Sequence, residues 1–281
     1  MRRLAVVLFW CFSLVFLCAI ITAGPSRALA EETIRINGTG TGVEMMKPLI
    51  KAYVESNPGF SVEMGKPLGS SGAKKALLAG ALDIVISSKP LKPGEVEKGA
   101  RLIPFGKTPL VIVTGSDVPV TNISTEELEA IYSGRTRKWA NGENIRVVLR
   151  PLEDIDTKIL RTLSPGMDEA VAQAQSRRGM ITAVTDPESN LAVANTIGSI
   201  GTSGLTGVLV QQLPLKVISL NGVMPTLESL ADGRYPLAKE LHFVTMDQLS
   251  ETAQKFMDFI YSDKGRAIVE NIGVLTVTGK Q

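Results

Sequence analysis

Three times between residues 33 and 91 the sequence passes from a short apolar stretch into a turn of glycine, serine and threonine, and twice the turn opens directly into a helical pattern. Thr33–Asn37 alternates like a strand. Gly38–Gly42 follows as a loop, and Val43 to Ser56 carries apolar residues at helical spacing until Asn57-Pro58-Gly59 stops it. Phe60–Met64 is a second strand, Gly69–Gly72 a second loop, and a helix runs from there through Leu78. Asp83–Ile86 is a third strand, ending at Ser87-Ser88. Strands that alternate with helices specify an α/β fold with largely parallel pairing. In such a sheet the turns gather at the carboxyl edge of the strands, where ligands bind.

Further along, Leu110–Thr114, Ile145–Leu149, Lys216–Leu220 and Leu241–Thr245 read as strands. Thr125–Tyr132, Thr157–Leu163, Met167–Gln175, Ser250–Tyr261 and Lys264–Asn271 read as helices. No internal repeat and no low-complexity linker interrupts the pattern.

The turns have a chemistry in common. In Gly38-Thr39-Gly40-Thr41-Gly42, glycines expose backbone N–H groups, threonines add hydroxyls, and the helix that follows adds the positive end of its dipole; together these cradle an oxyanion. The turn is not a dinucleotide fingerprint, because Val43 stands where the third glycine would be. Gly69-Ser70-Ser71-Gly72 repeats the arrangement, and Ser88 ends the third strand; a plain glycine-rich connector at Gly38–Gly42 and simple N-capping by serine at Gly69–Gly72 are the competing readings. Arg150 lies just past the strand Ile145–Leu149, where a guanidinium can clamp an anion with two parallel hydrogen bonds. A structural ion pair between Arg150 and Glu153 or Asp154 is the competing reading.

The N-terminus has a different character. Arg2 and Arg3 precede an apolar run to Ala23, and Ala28-Leu29-Ala30 offers a small-x-small site before Glu31-Glu32. This is the pattern of a secretory signal peptide cut after Ala30, the alternative being an uncleaved membrane anchor. Cleavage removes both cysteines, Cys11 and Cys18, so the exported chain holds together without disulfides. It also removes Arg2, Arg3 and Arg27. Lys+Arg then falls from 30 to 27 against 28 acidic residues, and the formal net charge moves from +2 to −1. No basic field remains to attract nucleic acid, so anion capture has to arise from local geometry.

Catalytic machinery is scarce. His242 is the only histidine and falls in an apolar strand. Neither a metal-ligand cluster nor a cofactor motif is present. A serine hydrolase using Ser71 would need Gly at position 73, where the chain has Ala73. The composition points to a non-catalytic binding protein.

With these stretches in order, the chain resembles the phosphate-type substrate-binding proteins of ABC importers. The likeness rests on Ile36–Thr41, Leu68–Leu77, Asp83–Leu91, Ile123–Gly134 with Trp139 and Gly142, Asn221–Thr226, Gly233–Leu237 and Lys255–Ile260. It implies a type II periplasmic binding protein fold, with two α/β lobes joined by two crossing strands, here Leu110–Thr114 and Leu241–Thr245. Lobe I would comprise residues 31–112 with 244–281, and lobe II residues 113–243. It implies a periplasmic monomer that closes on phosphate or a similar oxyanion and is recognised by the membrane subunits of an importer. A sensing module for a membrane signalling partner is the alternative on the same fold. Carried over residue by residue, the ligand contacts would be Thr39, Gly40, Thr41, Ser70, Ser71, Gly72, Ser88 and Arg150, then Asp154, Asp156 and Thr157. The last three mark a departure: the family follows the arginine with a Ser-Gly-Thr helix start, whereas this chain has Asp154-Ile155-Asp156-Thr157. A carboxylate there accepts a hydrogen bond from a protonated oxyanion and repels a fully ionised one, which favours phosphate over sulfate.

Overall fold

The computed structural model describes residues 32–277. The signal-peptide reading lies outside them. Among the described residues no helix is long and apolar enough to cross a membrane.

The N-terminal half runs β1 (Glu32–Gly38), α1 (Gly40–Ser56), β2 (Phe60–Glu63), α2 (Gly69–Leu78), β3 (Ile84–Ser87) and α3 (Pro93–Val96). A long strand, β4 (Ala100–Gly115), leads out of it. The middle of the chain then contributes β5 (Asn122–Ile123), α4 (Thr125–Ser133), β6 (Arg146–Leu149), α5 (Ile155–Arg161), α6 (Pro165–Ser176), β7 (Ile181–Thr182), α7 (Asp186–Asn195), β8 (Ser199–Gly204), α8 (Leu205–Gln211), β9 (Leu215–Leu220) and α9 (Leu227–Ala231). β10 (Ala238–Met246) returns, followed by α10 (Glu251–Tyr261), α11 (Asp263–Glu270) and β11 (Leu275–Thr276).

The strands order as β2-β1-β3-β10-β4-β8-β6-β7. β1 pairs with β3 in parallel, Ile36 opposite Ile84, and β6 is parallel to both β7 and β8. Between these parallel blocks the pairing is antiparallel, through β10 and β4. The first part of β4 pairs with β10 as far as Pro109; from Leu110 the strand pairs with β8 instead. A bulge between Leu241 and His242 interrupts the β10–β4 ladder and adds local twist.

The cores divide at the same place. One large apolar cluster joins Ile36, Met45, Leu49, Ile84, Phe105, Phe243 and Phe256. Another joins Leu110, Ile112, Leu128, Tyr132, Leu149, Met167, Ile200 and Leu237. The chain therefore passes between cores just after Phe105 and again between Leu237 and Leu241. Of the two expected crossing segments, Leu110–Thr114 pairs with β8 on the second side, and Leu241–Thr245 pairs with β4 and, through His242–Val244, with β3 on the first.

The α/β architecture is as expected, but several boundaries differ. α1 begins at Gly40, so Gly40-Thr41-Gly42 forms its first turn instead of a loop. Thr39 is the reason: it takes the extended N-cap conformation and its Oγ1 accepts from the Gly42 N–H at 3.0 Å, which outweighs the low helix propensity of two glycines. α2 likewise starts at Gly69, not after Gly72. The stretch holding α7, β8 and α8 escapes the sequence pattern altogether. α7 has almost no apolar face, and every residue of β8 is buried, so neither period stands out.

Candidate functional site

A cavity of about 290 Å³ opens between the two halves. One wall is Thr39, Gly40 and the first turn of α2, Gly69 to Gly72. The opposite wall is Arg150, Glu153, Asp154, Thr185 and Asp186, with Lys89 at the side.

The first wall is set by one buried amide. Asn37 Oδ1 accepts from the Gly38 N–H at 2.8 Å and the Leu68 N–H at 2.9 Å, and its Nδ2 donates to the Lys66 carbonyl at 3.1 Å. This ties the end of β1 to the start of α2. Leu68, at the N-cap of α2, offers no side-chain acceptor, so the first N–H groups of that helix face the cavity uncapped. Ser70 Oγ is turned inward and accepts from the Ser88 N–H at 3.0 Å.

The second wall is electrostatic. Arg150 is 4% exposed; its Nη2 donates to Asp154 Oδ2 at 2.8 Å and reaches Asp186 Oδ2 at 3.4 Å, and its Nη1 donates to the Ala183 carbonyl at 3.1 Å. Arg150 Nε is buried and has no hydrogen-bond partner among the described residues. Behind it, fully buried Lys239 stands 2.6 Å from Asp156 Oδ1 and donates to Asp186 Oδ1 at 2.5 Å. Thr41 Oγ1 completes the shell of Asp186 at 2.7 Å.

Asp186 changes the meaning of the first turn. A Cβ placed on Gly40 would lie 2.5 Å from Asp186 Oδ2, whereas Gly38 and Gly42 are pressed against Ile86 of β3. The glycines thus admit the chain's own carboxylate and a neighbouring strand. Part of the expected oxyanion cradle is filled by Asp186.

The eleven expected contacts therefore divide. Thr39, Gly40, Ser70, Ser71, Gly72, Arg150 and Asp154 line the cavity. Thr39 spends its hydroxyl capping α1, and Asp154 is at once the N-cap of α5 and the partner of Arg150, as the ion-pair reading anticipates. Four do not line it. Thr41 is committed to Asp186, Thr157 Oγ1 donates to the Arg150 carbonyl at 3.1 Å, and Asp156 is held by Lys239. Ser88, 5% exposed, has a buried hydroxyl without a partner among the described residues. Asp186, Lys239 and Lys89 were not anticipated. Lys239 had a signal: strand alternation puts it on the same face as buried Leu237 and Leu241. Asp186 sits in the capping box Thr185-x-x-Glu188, which marks a helix start but says nothing of its partners.

Burial pushes the Asp156 carboxyl up, to about 6, against the pull of Lys239. Asp186, equally buried, is held well below the usual range because Lys239 and Arg150 outweigh its desolvation. Lys239 is raised, since the attraction of Asp156 and Asp186 outweighs burial. The two acids act in opposite senses. The contribution of Asp156 to stability is whole below its ordinary 3.8 and is lost as pH rises through about 6. That of Asp186 is present above the ordinary carboxylate value and is lost as pH falls below it. Asp156→Asn should therefore remove the decline in stability across the pH interval from 3.8 to about 6, as read by urea unfolding at a series of pH values.

Known proteins share this architecture. The phosphate-binding protein PstS of Borreliella burgdorferi is 26% identical over 255 residues, covering 88% of this chain and 91% of the relative. Protein SphX of Synechococcus elongatus is 27% identical over 303 residues, covering 100% and 87%. A substrate-binding protein from Clostridium perfringens solved with bound phosphate superposes with a TM-score of 0.73 at 21% identity, covering 88% of this chain and 100% of that one. The phosphate binding protein of Stenotrophomonas maltophilia gives 0.65 at 16% identity, covering 88% and 91%. These two likenesses carry the fold alone. The profile of the PBP superfamily domain matches residues 23–264, and this chain belongs to that superfamily.

Proposed function

We propose that this chain is an exported, non-catalytic solute-binding protein that captures phosphate or a related small oxyanion and presents it to an ABC importer. The observation that carries the reading is the cavity between the two halves. It faces the uncapped start of α2 and Gly40 on one side and Arg150 on the other. Uncapped helix N–H groups and a forked guanidinium replace the water shell of an anion. The Borreliella burgdorferi relative is named a phosphate-binding protein, which agrees with this ligand class. The described residues up to Phe105, with those from Leu241 onward, act as one lobe and the stretch from Leu110 to Leu237 as the other, so each expected boundary moves by a few residues to where the cores divide, and the lobes close by hinge motion on β4 and β10. The protein works as a periplasmic monomer after its leader is removed near Ala30. His242 Nδ1 is buried without a partner among the described residues, so nothing there orients the imidazole as a base.

Isothermal titration of the chain starting at Glu31 with phosphate tests the reading. Saturable binding at one site per chain is expected, and its absence overturns the proposal.

One observation favours a protonated ligand over any other small anion. Asp154 lines the cavity and Asp186 abuts Gly40, so the site already contains negative charge. Phosphate brings its own proton to such a carboxylate at neutral pH; sulfate does not. Asp154→Asn should narrow the preference for phosphate over sulfate by about tenfold, measured by competition titration, because only one carboxylate's repulsion is removed.

A further inference from the structure

A second cavity, of about 340 Å³, shares no lining residue with the cleft. It is walled by the turn after α4, by β6 and by the segment from the end of α6 into β7. Four arginines line it: Arg137, Arg146, Arg177 and Arg178. No aspartate or glutamate does.

The arginines are not neutralised by the protein. Among the described residues none of the four takes part in an ion pair, whereas Arg35, Arg150, Arg161 and Arg234 all do. Arg177 is half-buried; its Nη2 donates to the Tyr132 carbonyl at 2.9 Å, and its Nε is buried with no partner among the described residues. Arg137 Nε donates to the Gly134 carbonyl at 2.9 Å. Those carbonyls orient the two guanidiniums and leave their charge in place. Burial, and then the charge of Arg137, lower the pKa of Arg177, the mark of a cation held near a like charge. Arg146 and Arg178 are exposed and make no side-chain hydrogen bond to described residues. Arg137 is exposed as well, so the cost falls on half-buried Arg177, whose charge beside Arg137 and over Ile131 and Val147 is less well solvated than in open water, and an entering anion offsets it.

We propose that this cavity binds a small multivalent oxyanion, a compound carrying two or more phosphate-type groups, through forked contacts from Arg137, Arg146, Arg177 and Arg178. Guanidinium forks match the geometry of phosphate oxygens and cannot be deprotonated to relieve the crowding. The volume lies in the range of small-molecule sites. Four cations grouped around one hollow suit an anion of several charges better than a single orthophosphate.

The experiment is titration calorimetry of the chain with inorganic pyrophosphate, in buffer containing excess orthophosphate so that the cleft is occupied by whatever orthophosphate it takes. Saturable pyrophosphate binding is expected. The double variant Arg146→Gln/Arg178→Gln should weaken it about tenfold or more, while Arg150→Gln should leave it unchanged. Both replaced arginines are exposed and free of hydrogen bonds, so the double variant should unfold at the wild-type temperature. No pyrophosphate binding, equal binding by the double variant, or loss with Arg150→Gln would each overturn the assignment. Displacement of pyrophosphate by orthophosphate at equal concentration would also overturn it, by removing the need for a multivalent ligand. The readout is separate from phosphate capture in the cleft, because failure of that capture leaves the dependence on Arg146 and Arg178 intact.

Discussion

Lys239→Met should destabilise the protein by about 3–5 kcal/mol, the loss typical of stripping one partner from a buried ion cluster. Methionine fills nearly the same unbranched volume, so little of the effect comes from packing. Lys239, Asp156 and Asp186 are all buried, with ammonium–carboxylate distances of 2.6 and 2.5 Å. Without the ammonium, Asp186 retains Thr41 and Arg150. Asp156 has no comparable partner and sits near two other carboxylates. Its pKa should rise further above its unfolded value, so the deficit should shrink in acid, where Asp156 is neutral, and grow as pH increases. Urea unfolding at two pH values reads this directly, as a lowered midpoint with an unchanged slope. Adding Asp156→Asn to Lys239→Met should recover part of the loss. If Lys239→Met unfolds within about 0.5 kcal/mol of wild type, a surface-like effect, the cluster does not balance charge as described.

Arg150→Met should lower phosphate affinity by about a hundredfold or more, since truncating one partner of a buried charge-assisted contact costs roughly 2–5 kcal/mol. Two effects combine. The cavity loses the guanidinium whose Nε has no partner among the described residues. Asp154 and Asp186 also lose a counter-charge, so the repulsion they exert on an entering anion increases. Arg150→Lys should recover only part of the affinity, because an ammonium keeps the charge but not the planar fork that spans Asp154, Asp186 and the Ala183 carbonyl. Calorimetric titration below the unfolding temperature of each variant separates binding from stability. Phosphate affinity within threefold of wild type for Arg150→Met would remove Arg150 from the site.

Much of this molecule could be read along the chain. The strand–turn–helix units around Gly38–Gly42 and Gly69–Gly72, the strand before Arg150 and the closing helices are local patterns, set by apolar spacing and turn chemistry that act over a few residues. Arg150 was reachable because it follows directly on a buried strand. Apolar spacing alone starts α1 three residues late, because propensity treats Gly40 and Gly42 as breakers while Thr39 caps the helix and makes them its first turn. Thr157 and Thr41 carry the right hydroxyls at plausible positions, but each is consumed by an internal acceptor.

By itself, the order of residues determined the α/β class, the glycine- and hydroxyl-rich segments that form one wall of the cleft, and the arginine opposite them, since each depends on short-range periodicity, capping and turns. Only the tertiary structure decided that those segments are helix starts, and what they and that arginine face. Thr41 and Asp186 are 145 residues apart, and Lys239 comes from a third segment; folding brings them into one buried cluster. The charge state of that cluster follows from shared desolvation and mutual distance, which exist only once the segments have met.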